Sequence, residues 1–167
     1  MRLKCIVISF YLITLSSLSF SQTKDRLKSI DQYENDGIKI ILFCGDYNFV
    51  EQWQKPETPE LKTKNTIKRG DDLLPYIVFG TNNLNKNGNA ELTYGITVFN
   101  PDSSVYFDQK NLILWKGNPS PNLNLVQQYI RIFIEEKDQL GIYTVKVDIT
   151  DKNKNITVPL SINFEVE

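Results

Sequence analysis

The chain has 167 residues, of which 19 are Lys or Arg, 20 are Asp or Glu and none is His. Without histidine there is no Ser-His-Asp or Cys-His nucleophile, no imidazole general base and no histidine metal site. The length suits one domain with a hydrophobic core, and the slight acidic excess argues against nucleic acid or an anionic membrane surface as the main partner.

The first 21 residues have the layout of a secretory signal peptide. Arg2 and Lys4 precede an uncharged apolar run, and the small residues Ser19 and Ser21 predict cleavage between Ser21 and Gln22. An uncleaved membrane anchor is the alternative, but the run is shorter than the roughly 20 residues that a spanning helix needs. The sequence therefore predicts a secreted or periplasmic protein with no transmembrane segment after cleavage.

Only one cysteine, Cys44, remains after that cleavage. A single thiol cannot form an internal disulfide, so core packing alone must hold the fold. Because Cys44 follows an apolar run, we expect it to be buried and inert, and an intermolecular disulfide is the alternative.

Between the leader and the C-terminal region, strand-like segments alternate with polar turns. Residues 22–36 are polar and are expected to form a flexible leader, so the folded domain is predicted to span residues 37–167. Apolar runs of strand length alternate at short intervals with turns that are rich in Gly, Pro and Asn. The predicted strands are 38–44, 61–68 (an edge strand), 73–79, 90–100, 104–109 and 112–116.

The last 41 residues, 127–167, contain three segments in which apolar and other residues alternate. A period of two predicts strands with one buried face, so we expect an antiparallel meander that a second sheet covers. Altogether seven to nine strands and no convincing helix predict an all-β, immunoglobulin-like antiparallel sandwich. The expected buried faces are Ile130, Ile132 and Ile134, then Tyr143, Val145, Val147 and Ile149, then Ile156, Val158, Leu160, Ile162 and Phe164.

The stretch from Asp138 through Gly141 and Tyr143 to Val145 resembles the corner before a late strand in immunoglobulin-like and macroglobulin-type domains. That resemblance implies a Tyr143 hydroxyl that bonds back to the backbone and ties one sheet to the next. A looser resemblance, to exported bacterial proteins of no assigned activity, implies an immunoglobulin-like domain outside the cytoplasm and supplies no reaction. Its motifs are Phe49-x-x-x-Trp53-x-x-Pro56, Asn100-Pro101-Asp102 before Val105-Tyr106, Trp115-Lys116-Gly117 and the Gly141 region.

Two oxygen-based chemistries survive the absence of histidine. Asp151, Asn153 and Asn155 have the first spacings of a calcium loop, but Ile156 stands where such a loop needs Gly, and a hairpin turn explains the segment. Glu135, Glu136 and Asp138 could supply the acid and base of a glycosidase, but they crowd one turn and are better explained as solvated surface residues. We therefore predict no cofactor, no metal and no catalytic residue.

Four aromatic residues near loops are the remaining candidates for a binding site: Trp53, Trp115, Tyr47 and Tyr106. Exposed aromatics can anchor a partner protein or stack on sugars, whereas core packing is the more common use of such residues. The preferred hypothesis is a non-catalytic exported module that binds a protein. The alternatives are a glycan or small-ligand module that uses these aromatics, and an enzyme that uses carboxylates alone.

Overall fold

The computed structural model describes residues 27–57, 59–126 and 130–167, so the predicted signal peptide and its cleavage site lie outside the described residues. Within these ranges the chain forms ten strands and one short helix, and the all-β sandwich predicted from the sequence is confirmed. No helix in this part of the chain has the length and apolar character needed to cross a membrane. The elements are β1 (Ile30–Asn35), β2 (Ile38–Gly45), α1 (Phe49–Trp53), β3 (Thr66–Ile67), β4 (Asp72–Thr81), β5 (Ala90–Phe99), β6 (Val105–Gly117), β7 (Asn124–Leu125), β8 (Ile132–Phe133), β9 (Gly141–Asp151) and β10 (Ile156–Val166).

The strands form two sheets. The first sheet has the order β1-β2-β4-β7, with β8 also paired to β4, and the second has the order β3-β10-β9-β5-β6. All of these pairings are antiparallel except the short β3–β10 pair, which is parallel.

The main core lies between the two sheets and follows the period-two pattern of the sequence. Tyr143 and Phe164 are fully buried, and their rings stack with centroids 5.3 Å apart. Opposite them, alternate residues of β2 and β4 point into the same core, including Cys44. Burial raises the pKa of the Cys44 thiol, so the group stays protonated and unreactive at neutral pH.

A second, smaller core covers the outer face of the first sheet. The central strands β2 and β4 are continuous apolar runs, which suits burial on both faces. Helix α1 packs across them through Phe49, whose ring centroid lies 4.8 Å from Phe43 and 5.1 Å from Tyr76. The helix begins after a tight turn in which the Asp46 carboxylate accepts the backbone N–H of Asn48 at 2.9 Å.

Residues 30–35, which the sequence analysis assigned to a flexible leader, instead form strand β1. They pair with β2 through a two-residue turn in which Asp36 and Gly37 both have positive φ, 53° and 75°. This is the backbone that Asp-Gly favours in tight hairpins. The expectation of a flexible leader over residues 22–36 is therefore wrong for this strand.

Three other strand assignments differ from the sequence-based expectation. The predicted edge strand 61–68 is reduced to β3, and the strands predicted over 104–109 and 112–116 are one bulged strand, β6. The prediction that the three C-terminal strands form one antiparallel meander is also wrong. Ile132 faces the core as expected, but β8 pairs with β4 of the first sheet, and only β9 and β10 form a hairpin.

Both edges of the second sheet are protected against pairing with another chain. Strand β3 pairs only with Glu165 and Val166, so most of β10 lies at the edge. Along β10, Pro159 has no N–H to offer, and the N–H of Ser161 is donated to the Asp31 carboxylate at 2.8 Å. At the opposite edge, β6 contains three register shifts against β5, and such bulges interrupt the regular ladder that an added strand would need. The addition of a further strand to the second sheet is therefore disfavoured.

Candidate functional site

The candidate site is a groove on the outer face of the first sheet, beside Trp53. The groove has a volume of about 490 Å³, which falls within the range of small-ligand sites. Most of its lining is apolar, and Lys55 and Glu57 supply opposite charges at its rim. The lining residues are Ile41, Trp53, Lys55, Pro56, Glu57, Pro59, Leu61, Val78, Ser120, Asn122 and Leu123.

Trp53 is held in the groove by the short helix α1. It ends that helix, and its ring packs against Phe49 with centroids 5.8 Å apart, so one side of the indole rests on the smaller core. Within the described residues its indole N–H makes no hydrogen bond. The groove therefore offers an aromatic surface together with a free donor.

The wall opposite Trp53 is a loop, residues 118–123, that a buried side chain holds in shape. Asn124 is only 6% exposed, and its oxygen accepts the backbone N–H of Ser120 at 2.8 Å. Its amide nitrogen lies within hydrogen-bond distance of the carbonyl oxygens of Phe79, Ser120 and Asn122. These contacts fix Leu123 at the groove, and sequence reasoning did not find Asn124.

A polar trough continues the groove toward the β1–β2 turn. It has a volume of about 660 Å³ and shares Asn122 and Leu123 with the apolar groove. Its charged groups are largely paired, since Lys39 contacts Glu34 at 2.7 Å and the hydroxyl of Tyr33 donates to Asp36 at 2.8 Å. The combined surface is thus an apolar site that opens into a polar channel.

The other three predicted aromatics do not reach this groove. Trp115 lies on the inner face of β6, with its ring centroid 5.2 Å from that of Phe79 and its indole N–H donating to the Gly117 carbonyl at 3.3 Å. The four aromatics therefore do not form one site.

Tyr47 belongs to a surface cluster of its own. Its ring is 61% exposed, and its hydroxyl donates to Asp72 at 2.7 Å. Arg131 contacts both oxygens of the same carboxylate at 2.7 Å. This guanidinium lowers the pKa of Asp72, with a smaller contribution from the Tyr47 hydroxyl.

Tyr106 and Asp138 meet at the end of the sandwich that also holds the β8–β9 loop. The Tyr106 hydroxyl lies 2.8 Å from both the Asp138 carboxylate and the Phe133 carbonyl oxygen. Burial, and then the hydrogen bond to Asp138, raise the pKa of Tyr106. Since Asp138 also accepts the N–H of Glu135 at 2.7 Å, its carboxylate organises the loop.

The Tyr143 hydroxyl donates to the Gln139 carbonyl at 3.0 Å, four residues earlier in the chain, while its ring is fully buried. This is the geometry that a tyrosine corner requires. Gly141 has φ +124°, and a Cβ atom there would lie 3.2 Å from the Cβ of Pro101. The turn at Pro101 can therefore pack this closely only against glycine.

The same turn yields a prediction for acid conditions. Hydrogen bonds from the Gln139 amide, and then from the hydroxyl and N–H of Ser104, lower the pKa of Asp102 to about 2. Because the folded-state pKa is below the unfolded value, the stabilisation is present above about pH 4 and is lost as the pH falls toward 2. The urea midpoints of the natural chain and Asp102→Asn should differ at neutral pH and converge near pH 2, and a constant difference would contradict this.

Oxygen-rich clusters in the described part of the chain are explained by local structure. No group of three or more Asp, Glu, Cys or His side chains there could hold a metal ion. In the former calcium candidate, the Asp151 carboxylate accepts the N–H groups of Asn153 and Lys154 and the side-chain amide of Asn83. That carboxylate therefore caps the β9–β10 turn.

No protein-family model matches the sequence. No curated protein matches it either. Among solved structures, the chain is similar over 77% of its length to a family 123 glycoside hydrolase from Clostridium perfringens, with 13% identity and a TM-score of 0.45, but it spans only 27% of that enzyme. A Niemann-Pick type C2 protein from the Japanese carpenter ant is matched over 86% of this chain and 96% of that one, with 10% identity and a TM-score of 0.42.

The soluble domain of PmoD from a Methylocystis species is similar over 81% of this chain and 96% of that one, with 9% identity and a TM-score of 0.39. Similarity this low does not transfer an activity or a ligand. The functional conclusion must come from the groove itself.

Proposed function

We propose that this chain is a non-catalytic, exported binding module that receives a segment of a partner protein in the groove beside Trp53. The observation that carries the proposal is the mainly apolar lining of the groove, from Ile41 and Val78 on the sheet to Leu61 and Leu123 on the loops. Such a surface suits an apolar anchor side chain, and aromatic anchors dominate many protein interfaces. The polar trough would accommodate the backbone on either side of that anchor.

Protection of the second sheet's edges supports a surface groove over strand addition to that sheet. Strand addition needs a row of free N–H and C=O groups, which Pro159, the Asp31–Ser161 contact and the bulges of β6 interrupt. A non-catalytic role is supported by the carboxylates of this surface. Glu34 and Asp36 of the trough are engaged with Lys39 and the Tyr33 hydroxyl, and the groove itself presents a single carboxylate, Glu57. General acid–base hydrolysis of a glycoside needs two.

The test places a photo-crosslinking amino acid at Leu123 in the producing cell, because Leu123 lies at the groove and is 37% exposed. We expect a discrete protein adduct that Trp53→Ala removes. The matched control carries the same amino acid at Ile113, which is 58% exposed on the other sheet. Once the partner is purified, Trp53→Ala should weaken binding roughly 30-fold, as loss of a hot-spot residue does. No adduct, or the same adduct from Ile113, would contradict the proposal.

Glycan binding is the second candidate, because an indole face lies next to a trough lined by amide and carboxylate side chains, including Asn35, Asp36 and Asn82. Sugars stack on aromatic rings while their hydroxyls bond to such groups. In a Trp115→Phe chain, Trp53 is the sole tryptophan. A saturable change of its fluorescence with one sugar of a broad panel would favour this candidate, and a uniform lack of response would remove it.

A further inference from the structure

One end of the sandwich, which we call the basic end, is formed by the turns 36–37, 82–89 and 152–155. These turns carry three exposed lysines, Lys86, Lys152 and Lys154, and a single acidic residue, Asp36. Within the described residues, none of the three lysines makes an ion pair. Their charges are therefore available to an external partner.

Buried and part-buried hydrogen bonds hold the three turns together as one surface. The side-chain amide of Asn83 donates to the Asp36 carbonyl at 2.9 Å and to the Asp151 carboxylate at 2.8 Å. In return, the amide of Asn153 donates to the carbonyl oxygens of Asn83 and Asn89 at 2.8 and 3.0 Å. The lysines thus project from a fixed platform whose own carboxylate, Asp151, is 1% exposed and fully engaged.

An apolar side chain is exposed on the same surface. Leu84 lies two residues before Lys86 in the 82–89 turn and is 44% exposed. Transfer of an exposed leucine side chain from water into an apolar medium is favourable. The neighbouring lysines would then lie where that medium meets water.

The opposite end of the sandwich has the contrary charge. Its turns 68–71, 100–104 and 134–140 carry five acidic residues, Asp71, Asp102, Glu135, Glu136 and Asp138, against three basic ones, Lys68, Arg69 and Lys137. The nearly neutral total charge of the chain therefore conceals a molecule with one basic and one acidic end. An anionic surface attracts the first and repels the second, which sets the orientation of approach.

We propose that the basic end docks on the surface of a lipid bilayer that contains anionic phospholipids, with Leu84 entering the interface and the three lysines contacting phosphate groups. Lysine attraction to an anionic membrane and burial of apolar side chains are the two additive terms of interfacial binding. Leu84 favours a bilayer over a soluble anionic polymer, because a polymer gives an apolar side chain nothing to enter. This proposal uses side chains other than those of the groove beside Trp53, although the turns 36–37 and 82–89 also border the polar trough.

The test is sedimentation of the protein, purified from producing cells, with two kinds of vesicle. One contains roughly one part phosphatidylglycerol to two parts phosphatidylcholine, and the other contains phosphatidylcholine alone. We expect binding to the first kind only, and binding that weakens as salt is added. Equal binding to the neutral vesicles, or no binding to the anionic ones, would overturn the proposal.

Two pairs of variants locate the contact. Lys154→Gln should weaken partition about fivefold, as expected for one lysine near a charged surface, and Leu84→Asn should weaken it about tenfold or more. The matched controls are Lys68→Gln and Leu140→Asn in turns of the opposite end, where Leu140 is 54% exposed. Equal losses of vesicle binding in the control variants would contradict docking by the basic end. The proposal would also be contradicted if the protein bound dextran sulfate, a soluble anionic polymer, as tightly as it binds vesicles and if Leu84→Asn left that binding unchanged.

Discussion

Replacing Tyr143 with alanine is expected to lower the free energy of unfolding by about 3–5 kcal/mol, the usual cost of removing a buried aromatic ring. The ring is fully buried, stacks on Phe164 and meets the edge of Tyr106 with centroids 5.8 Å apart. A cavity at this position would lie between the sheets and next to two other rings, so the core cannot close around it without moving the strands. Urea denaturation at neutral pH measures the loss.

Tyr143→Phe separates the ring from the hydroxyl. It keeps the stacking and deletes the hydrogen bond to Gln139, so we expect a loss of about 1 kcal/mol. The part-buried carbonyl of Gln139 then lacks this donor. If Tyr143→Phe lowered the free energy of unfolding as much as Tyr143→Ala does, the hydrogen bond to Gln139 would dominate and the packing argument would be wrong. If Tyr143→Phe had no effect, the hydroxyl would make no contribution to stability.

The sheet faces were predictable because a strand with one buried side has only two ways to point. The alternation from Tyr143 to Ile149 and from Val158 to Phe164 fixes which residues face inward, and those residues are the buried ones. The pairing partner of a strand carries no such local signal. The segment around Ile132 has the alternation of a third hairpin strand, yet β8 joins the first sheet, since partner choice depends on contacts distant in sequence.

Two local features, helix α1 and the hairpin turn before β2, were not predicted from the sequence, for different reasons. Helix α1 has five residues, which is too short for a helical period to be visible, and its packing on Phe43 stabilises it. The Asp36-Gly37 turn did carry a signal. It was missed because the residues before it are polar, and a polar segment can still pair when one side of it covers a buried neighbour.

The groove could be anticipated only in part. Trp53 was a candidate from sequence, but it was grouped with Trp115 and Tyr106 because all three lie near loops. The residues that complete the groove, Ile41, Val78 and Leu123, come from three separate segments. No spacing in the sequence joins segments that only the sheet topology brings together.

The basic end depends on one buried amide, and replacing Asn83 with leucine is expected to destabilise the fold by about 2–4 kcal/mol. Leucine has a similar size, so the change tests polarity and not volume. The variant deletes the hydrogen bonds to Asp36 and to the carboxylate of Asp151, which is buried and would lose one of its three donors. Bonds to a charged group are the costly ones to break, because the remaining charge is poorly solvated.

A second substitution identifies the cause. Asp151→Asn in the natural chain should be destabilising, because it weakens the contacts with Asn83, Asn153 and Lys154, whereas in the Asn83→Leu background it should cost less, since it removes the uncompensated charge. Thermal unfolding of the four chains gives the coupling energy, which we expect to be about 1 kcal/mol or more. Strictly additive effects would show that Asn83 supports Asp151 no more than any neighbour does. Because this amide also joins the turns that carry Lys86, Lys152 and Lys154, the same variant should loosen the platform and weaken vesicle binding without removing a single positive charge.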